Sequence, residues 1–336
     1  MAASTGFFAT LKLLWEIRQV FPKRNHSAST PSPPKHKRAN ITALVALWCL
    51  LVAVFVINTL AGLGPKYLGC GLFKNDIYAL IQQYAHYVTP AEWSFVISGI
   101  IFFWLFCGAT FYVVTIFLEV DGIPVYLNPG VISKKFVAAF GVNLVFNVAW
   151  VFTWNYELFI WAEVLLILLA VTNCIVTALI SRNLAKHNHR LQKVNPKIYW
   201  SYVIMGQFGH QLYATWSIIA AIFQLIVPAH YWWGIDMEIL SIATIATLLV
   251  VLCLWFMADI SIWYTYQPYS IIPYLGILWG FSGVLDRTAS QLIRNQAVVT
   301  FIGFILALNT GFLLIKIALL VNREKKRLFR SNQIYY

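Results

Sequence analysis

Residues 200–216 read Trp-Ser-Tyr-Val-Ile-Met-Gly-Gln-Phe-Gly-His-Gln-Leu-Tyr-Ala-Thr-Trp, and the apolar run they open continues to about Val227. About 20 such residues in a helix cross a bilayer. The middle of this run nevertheless carries Gln207, His210 and Gln211 at i, i+3 and i+4, which predicts a polar stripe down one helical face. Trp200, Val203 and Ala214 extend that face. Polar side chains at membrane depth are costly unless another group or a cavity receives them, so the stripe predicts a partner surface elsewhere in the chain.

The rest of the sequence supplies the setting. Hydrophobic residues make up 60% of it and charged residues only 11%, where soluble domains carry about 25% charged residues. Several apolar runs exceed the spanning length of about 18 residues, and no strand-like alternation argues for a barrel. The fold class is therefore an all-α polytopic membrane protein. Spans are expected at about 40–63, 89–118, 136–154, 158–181, 200–227, 235–258, 270–285 and 296–321, a bundle of about eight transmembrane helices.

Thr89 and Pro90 read as N-cap and first-turn proline of the second span. The short link near residues 155–157 makes the third and fourth spans an antiparallel hairpin. Between the first two spans, Ile77, Leu80, Ile81, Tyr84 and Val88 predict a short surface helix that caps the bundle. Three parts result. Residues 1–39 form a cytosolic amphipathic helix lying in the interface, over about 5–21, and a basic linker; residues 40–321 form the bundle; residues 322–336 form a basic cytosolic tail.

The net charge of +12 resides in loops and tails and does not call for nucleic acid. Lys and Arg concentrate in the N-terminal tail, in residues 182–199 and after residue 322. The opposite loops hold only Lys66, Lys74, Arg287 and Arg294. By the positive-inside rule both termini face the cytosol, in the plasma membrane or an endomembrane. The sequons at Asn25 and Asn40 then carry no glycan. Of the five cysteines, four lie in apolar runs and Cys70 lies in a loop, with no metal-site or redox spacing.

The third span offers a face to match the opening stripe. Asn143, Asn147, Trp150 and Trp154 fall at i, i+4, i+7 and i+11. The two stripes are expected to share an interior, either as a ligand cavity with aromatic walls and a few directing polar groups or as a closed polar network. In such a network each interhelical hydrogen bond contributes about 0.6 kcal/mol. His210 is the only histidine inside a span, so no metal site is expected. Lys316 is expected to snorkel to the cytosolic edge, and Glu163 and Asp259 to sit at interfaces, Asp259 pairing with a cytosolic-side base. No phosphate-binding loop, zinc-protease motif or nucleophile elbow is present, so no enzyme is expected.

Several of these segments also resemble a known family. Thr89-Pro-Ala-Glu-Trp93-Ser-Phe95, followed by Ile100-Ile-Phe-Phe-Trp104 and Phe111-Tyr112, is similar to the second helix of TspO/MBR-like tryptophan-rich sensory proteins. So are Asn143 to Trp154, Pro196-Lys-Ile-Tyr-Trp200, and Tyr266 to Pro273 with Leu278-Trp-Gly280. The resemblance spans roughly residues 40–285. It implies a five-helix core that binds porphyrins or sterol-like ligands, with Trp93, Asn147, Trp150 and Trp154 at the pocket. This chain adds about three helices and basic tails.

The expectation is a non-enzymatic membrane protein that binds, senses or moves a hydrophobic or amphipathic small molecule, tetrapyrrole- or sterol-like, in an intramembrane cavity. The ligand residues would be Asn143, Asn147, Trp150, Trp154, Gln207, His210, Gln211 and Trp93. Its partners are the lipid bilayer and that small molecule. An accessory subunit, with a channel, receptor or other membrane protein as its partner, is the first alternative. A solute transporter is the second, although no charged pathway or inverted repeat is visible.

Overall fold

The computed structural model describes residues 38–64, 72–120, 123–127, 130–290 and 296–333. The N-terminal interfacial helix expected over 5–21, the linker up to residue 37, Cys70 and the last three residues lie outside the described residues.

The long helices are α1 (Arg38–Leu63), α3 (Val96–Val114), α4 (Lys134–Asn155), α5 (Phe159–Val194), α7 (Gly209–Gln224), α9 (Met237–Ser261), α10 (Ile272–Ser290) and α11 (Gln296–Gln333). Short helices α2 (Ile77–Gln83), α6 (Pro196–Ser201) and α8 (Ile226–Tyr231) join them, with a two-residue hairpin of β1 (Glu119–Val120) and β2 (Ile123–Pro124). Helix starts follow local chemistry. Asp76, Ser133, Asn195 and Asp236 each accept backbone N–H groups of the first turn that they precede. Thr89 does not cap the second span as expected. Its hydroxyl accepts the His86 N–H at 2.8 Å and closes the preceding turn, while a 3₁₀ turn over Glu92–Phe95 opens the helix.

Among the described residues, seven helical segments are long and apolar enough to cross a membrane, where about eight were expected. The segment outside that set is α10, whose 19 residues include Asp286 and Arg287 near the end. Its Phe281 and Val284 are buried in a cluster with α7, α9 and α11, so its apolar surface is spent on neighbouring helices.

In the apolar 18-residue stretch of the segment Pro196–Tyr231, built of α6, a π-helical stretch, α7 and α8, 67% of residues are buried, against 22% in the matching stretches of α1 and α11. This segment is the central column of the molecule. On one side α1, α3, α4 and α5 pack around it in one apolar cluster; on the other α9, α10 and α11 form a second. The expected α4–α5 hairpin is present, turning at Tyr156–Leu158.

Tyr202–Phe208 is π-helical. The i→i+5 pattern leaves a backbone carbonyl free for another partner. Trp104 Nε1 of α3 donates to Ile204 O at 2.7 Å, and α3 comes so close that a Cβ on Gly108 would lie 2.4 Å from Met205 O.

A lysine and an aspartate also depart from expectation. Lys316 does not reach solvent, and Asp259 is buried within the protein. Lys316 Nζ lies 2.8 Å from Asp259 Oδ1, and both side chains have no exposed surface. The Tyr274 hydroxyl donates to Asp259 Oδ2 at 2.8 Å. The reason is the energy of burying charge: each ion is tolerated at depth because the other is there. Glu163 is likewise buried within the protein, at 5% exposure.

Candidate functional site

A cavity of about 450 Å³ opens between α1, α3, α4 and α7, with α2 across one end. Trp150 and Trp154 form one wall, their rings stacked 6.5 Å apart at 21°. They lie one turn apart on the same face of α4, as the sequence spacing predicts. Phe102, Trp216 and Phe223 complete the aromatic surface.

The polar groups are few and neutral. Asn58 on α1 donates to Asn147 Oδ1 at 2.7 Å and to Val54 O at 2.8 Å. Trp150 Nε1 donates to Gln224 Oε1 at 3.0 Å. The Trp154 indole N–H is buried with no hydrogen-bond partner. His86 also lines the cavity; burial, with the positive charge of Arg287 behind it, pushes its pKa down to about 3, so the ring is uncharged at physiological pH. None of the described residues lining the cavity is Asp, Glu, Lys or Arg.

The cap is fastened from below. Ile77 and Leu80 of α2 are buried in a cluster with Val151, Trp154 and Phe159. Tyr84 packs edge-on to Phe159 at 4.6 Å and to Tyr231 at 5.1 Å. Glu157, at the α4–α5 turn, has φ +60°, a left-handed conformation uncommon for a residue with a side chain. From there its carboxylate accepts from the Tyr84 hydroxyl at 2.9 Å, the Asn75 amide at 3.1 Å and Lys74 Nζ at 3.4 Å. The Tyr84 hydrogen bond above all holds the Glu157 pKa below the usual carboxylate value. Asn155 Oδ1 adds bonds to the backbone N–H groups of Lys74 and Asn75.

The remaining expected site residues are placed elsewhere. Asn143 turns to α5, donating to Leu169 O and Thr172 Oγ1. Trp93, 43% exposed, donates to Asp286 Oδ2 and packs edge-on to Trp279, so it ties α10 to the start of the second span. Gln207 donates to Ser181 Oγ at 2.9 Å and Gln211 to Gln267 Oε1 at 3.1 Å. His210 stands edge-on to Phe136 and Phe140 of α4, at 5.3 and 4.7 Å. Gln207 and Gln211 share one network, because Ser181 also donates to Gln267 Oε1, and only His210 of that stripe faces α4, so the two stripes do not meet in one interior. Only Trp150 and Trp154 of the expected set line the cavity, with Asn147 one hydrogen bond behind it. Sequence reading passed over Asn58 and Gln224, although each is a lone amide late in an apolar run. Among the described residues no group of three metal-ligating side chains occurs.

An integral membrane protein of bundled helices with an aromatic-walled, uncharged cavity between them is the class that this geometry defines. Residues 43–314 match the family described as TSPO-like protein, and the chain belongs to that family. The match runs through α9 and α10 into α11, so the helices beyond a five-helix core are part of the family pattern here. No curated protein and no solved structure matches the chain.

Proposed function

We propose that the chain binds a flat, neutral, amphipathic molecule of sterol-like character in the cavity between α1, α3, α4 and α7, and that it senses or moves that molecule. The observation that carries this reading is the stacked Trp150–Trp154 wall in a cavity whose described lining bears no charge. Parallel indoles offer a flat apolar surface, and the unpartnered Trp154 N–H offers one directing hydrogen bond. A tetrapyrrole with ionised carboxylates would find no described cation on these walls, which favours the neutral ligand. In this reading α10 crosses as an eighth span and both termini lie in the cytosol. The basic stretches around 182–197 and 323–330 support that orientation.

The test is ligand-dependent thermal stability of the detergent-solubilised protein against sterols, fatty acids and porphyrins. A sterol at about a hundred times its Kd stabilises by ~2.7 kcal/mol, and Trp150→Ala should abolish that gain. Equal stabilisation by charged porphyrins would overturn the neutral-ligand reading. No stabilisation by any of them, with a membrane protein co-purifying, would turn the reading to an accessory subunit.

A further inference from the structure

We propose that the ends of α5 and α11 beyond the apolar bundle form a docking surface for the headgroup of a multiply phosphorylated inositol lipid. This surface is independent of the cavity between α1, α3, α4 and α7. α5 has 36 residues, and its apolar part, residues 159–180, is about 33 Å long at ~1.5 Å per residue. That length matches a hydrocarbon core of roughly 30 Å. The helix nevertheless runs on to Val194. On this continuation Arg182, Lys186, Arg190 and Lys193 fall at i, i+4, i+8 and i+11, which makes one basic stripe along one face. Lys197 follows in the first turn of α6, and residues 182–197 contain no Asp or Glu.

The stripe starts at a group of aromatic rings. Arg182 lies 5.8 Å from the Trp263 ring and 5.9 Å from the Tyr266 ring, in the turn after α9. Arg323 of α11 lies 5.3 Å from the Tyr264 ring in the same turn and donates to the Tyr264 carbonyl at 3.3 Å. Trp and Tyr concentrate at the headgroup level of a bilayer, so the two arginines mark the depth of the lipid phosphates. Beyond that level the two helices are fastened together. Arg327 donates to Gln192, and the Tyr269 hydroxyl donates to Glu324 at 2.8 Å while its ring packs 4.8 Å from Trp200. Gln192 is turned off the stripe, so α11 stands beside the basic face and does not cover it. Glu324, the one carboxylate in residues 322–336, is engaged by Tyr269 and by Arg327 at 3.8 Å.

Like charges one turn apart destabilise a helix, and here packing holds them in place. Lys186, Lys193, Lys197 and Lys326 are exposed, so this positive field faces outward. A polyanion relieves the repulsion. The height of the stripe says which one. From Arg182 to Lys193 the helix rises about 16 Å, whereas the headgroup layer adds only roughly 5–7 Å to each side of the hydrocarbon. The single phosphate of an ordinary lipid reaches the base of the stripe and leaves Lys193 and Lys197 above it. An inositol ring that carries further phosphates projects from the membrane and engages both levels. The lipid is favoured over a soluble anion because the stripe begins at the aromatic level and runs outward from it without a break.

The experiment follows a fluorescent phosphatidylinositol bisphosphate by anisotropy as it binds the full chain in neutral detergent micelles. The expected result is saturable binding that weakens as salt is raised. Lys186→Gln with Lys193→Gln should weaken it roughly twentyfold, about fivefold for each charge removed near a membrane surface. Lys134→Gln with Lys135→Gln removes the same charge where α4 begins, at the same end of the bundle, as the Asn183 hydrogen bond to Val131 O shows. That control should change binding by less than about twofold, because screening blunts charges outside the stripe. All four lysines are exposed, so both variants should fold. Equal losses in the two variants would reduce the stripe to a diffuse basic field and overturn the proposal. So would phosphatidylserine competing as strongly, lipid for lipid, as the unlabelled bisphosphate. Inositol trisphosphate competing as well as the lipid would reassign the stripe to a soluble anion, and polyglutamate doing so would reassign it to an acidic protein; either result overturns the lipid headgroup.

Discussion

The helices on the two sides of α7 handle buried polarity differently. On the α9–α11 side, the Lys316–Asp259 pair is sealed, with no exposed surface and with Tyr274 bonded to the same carboxylate. On the α1–α4 side, Asn58 pairs with Asn147 and Trp150 with Gln224 around an open space, while Trp154 Nε1 and Gln224 Nε2 stay unmatched. The first arrangement spends its polar groups on holding helices together. The second retains room and unmade hydrogen bonds. Burial alone does not separate the ion pair from the cavity; what separates these two places is whether their own donors and acceptors are matched, and the α9–α11 side is not sealed throughout, since Trp255 Nε1 and Asn309 Oδ1 there have no partner.

The largest expected effect tests the sealed side. Lys316→Met strands a buried carboxylate and should destabilise the protein by about 3–5 kcal/mol. Lys316→Met with Asp259→Leu should recover most of that loss in a denaturant titration in detergent. A single variant as stable as the parent would mean that the ion pair is wet and the contrast false.

Next is Gly108→Ala, where the new Cβ meets the Met205 carbonyl. Overpacking of this kind costs about 1–3 kcal/mol, and it should push α3 away from the π stretch and quench the Trp104 contact. Tryptophan fluorescence and melting temperature together would show it. Asn58→Leu should cost a similar amount or somewhat less, about 1–2 kcal/mol, because Asn147 Oδ1 loses its donor. It should weaken stabilisation by sterol while leaving the Lys316 double-variant cycle unchanged, which sharpens the independence of the two sides.

The smallest effect concerns the cap. Glu157 has its pKa lowered in the folded state, so its hold on Tyr84 and Asn75 is complete above the ordinary glutamate value of about 4.3. That hold is lost as pH falls through the lower folded value. Hydrogen exchange of residues 77–84 should therefore be constant from pH 7 to about 5, once corrected for intrinsic rates, and should quicken below about 4. Glu157→Gln should remove the pH dependence. Cap exchange that changes between pH 7 and 6 would point to another group.

Much of this was legible because hydrophobic runs, caps and hairpin links are local signals. The short capping helix was readable from Ile77, Leu80 and Ile81, and the tryptophan wall from the spacing of Trp150 and Trp154. The π stretch was not, because nothing in Tyr202–Phe208 marks it. It depends on Gly108 and Trp104, about a hundred residues away, letting α3 reach its backbone. The Lys316–Asp259 pair was hidden for a similar reason: each residue sits near the end of its apolar run, where an interfacial position is the usual solution. α10 reads as a span from its apolar residues, yet it faces other helices with Phe281 and Val284.

Ile219 lines the cavity between α1, α3, α4 and α7 and also a second one, of about 300 Å³, among α5, α7, α9, α10 and α11. A partition one helix thick has no private face: a guest that displaces Ile219 on one side alters the chamber on the other. Thermodynamic linkage then requires reciprocity, so whatever factor a molecule in one chamber imposes on the affinity of the second, the second imposes on the first.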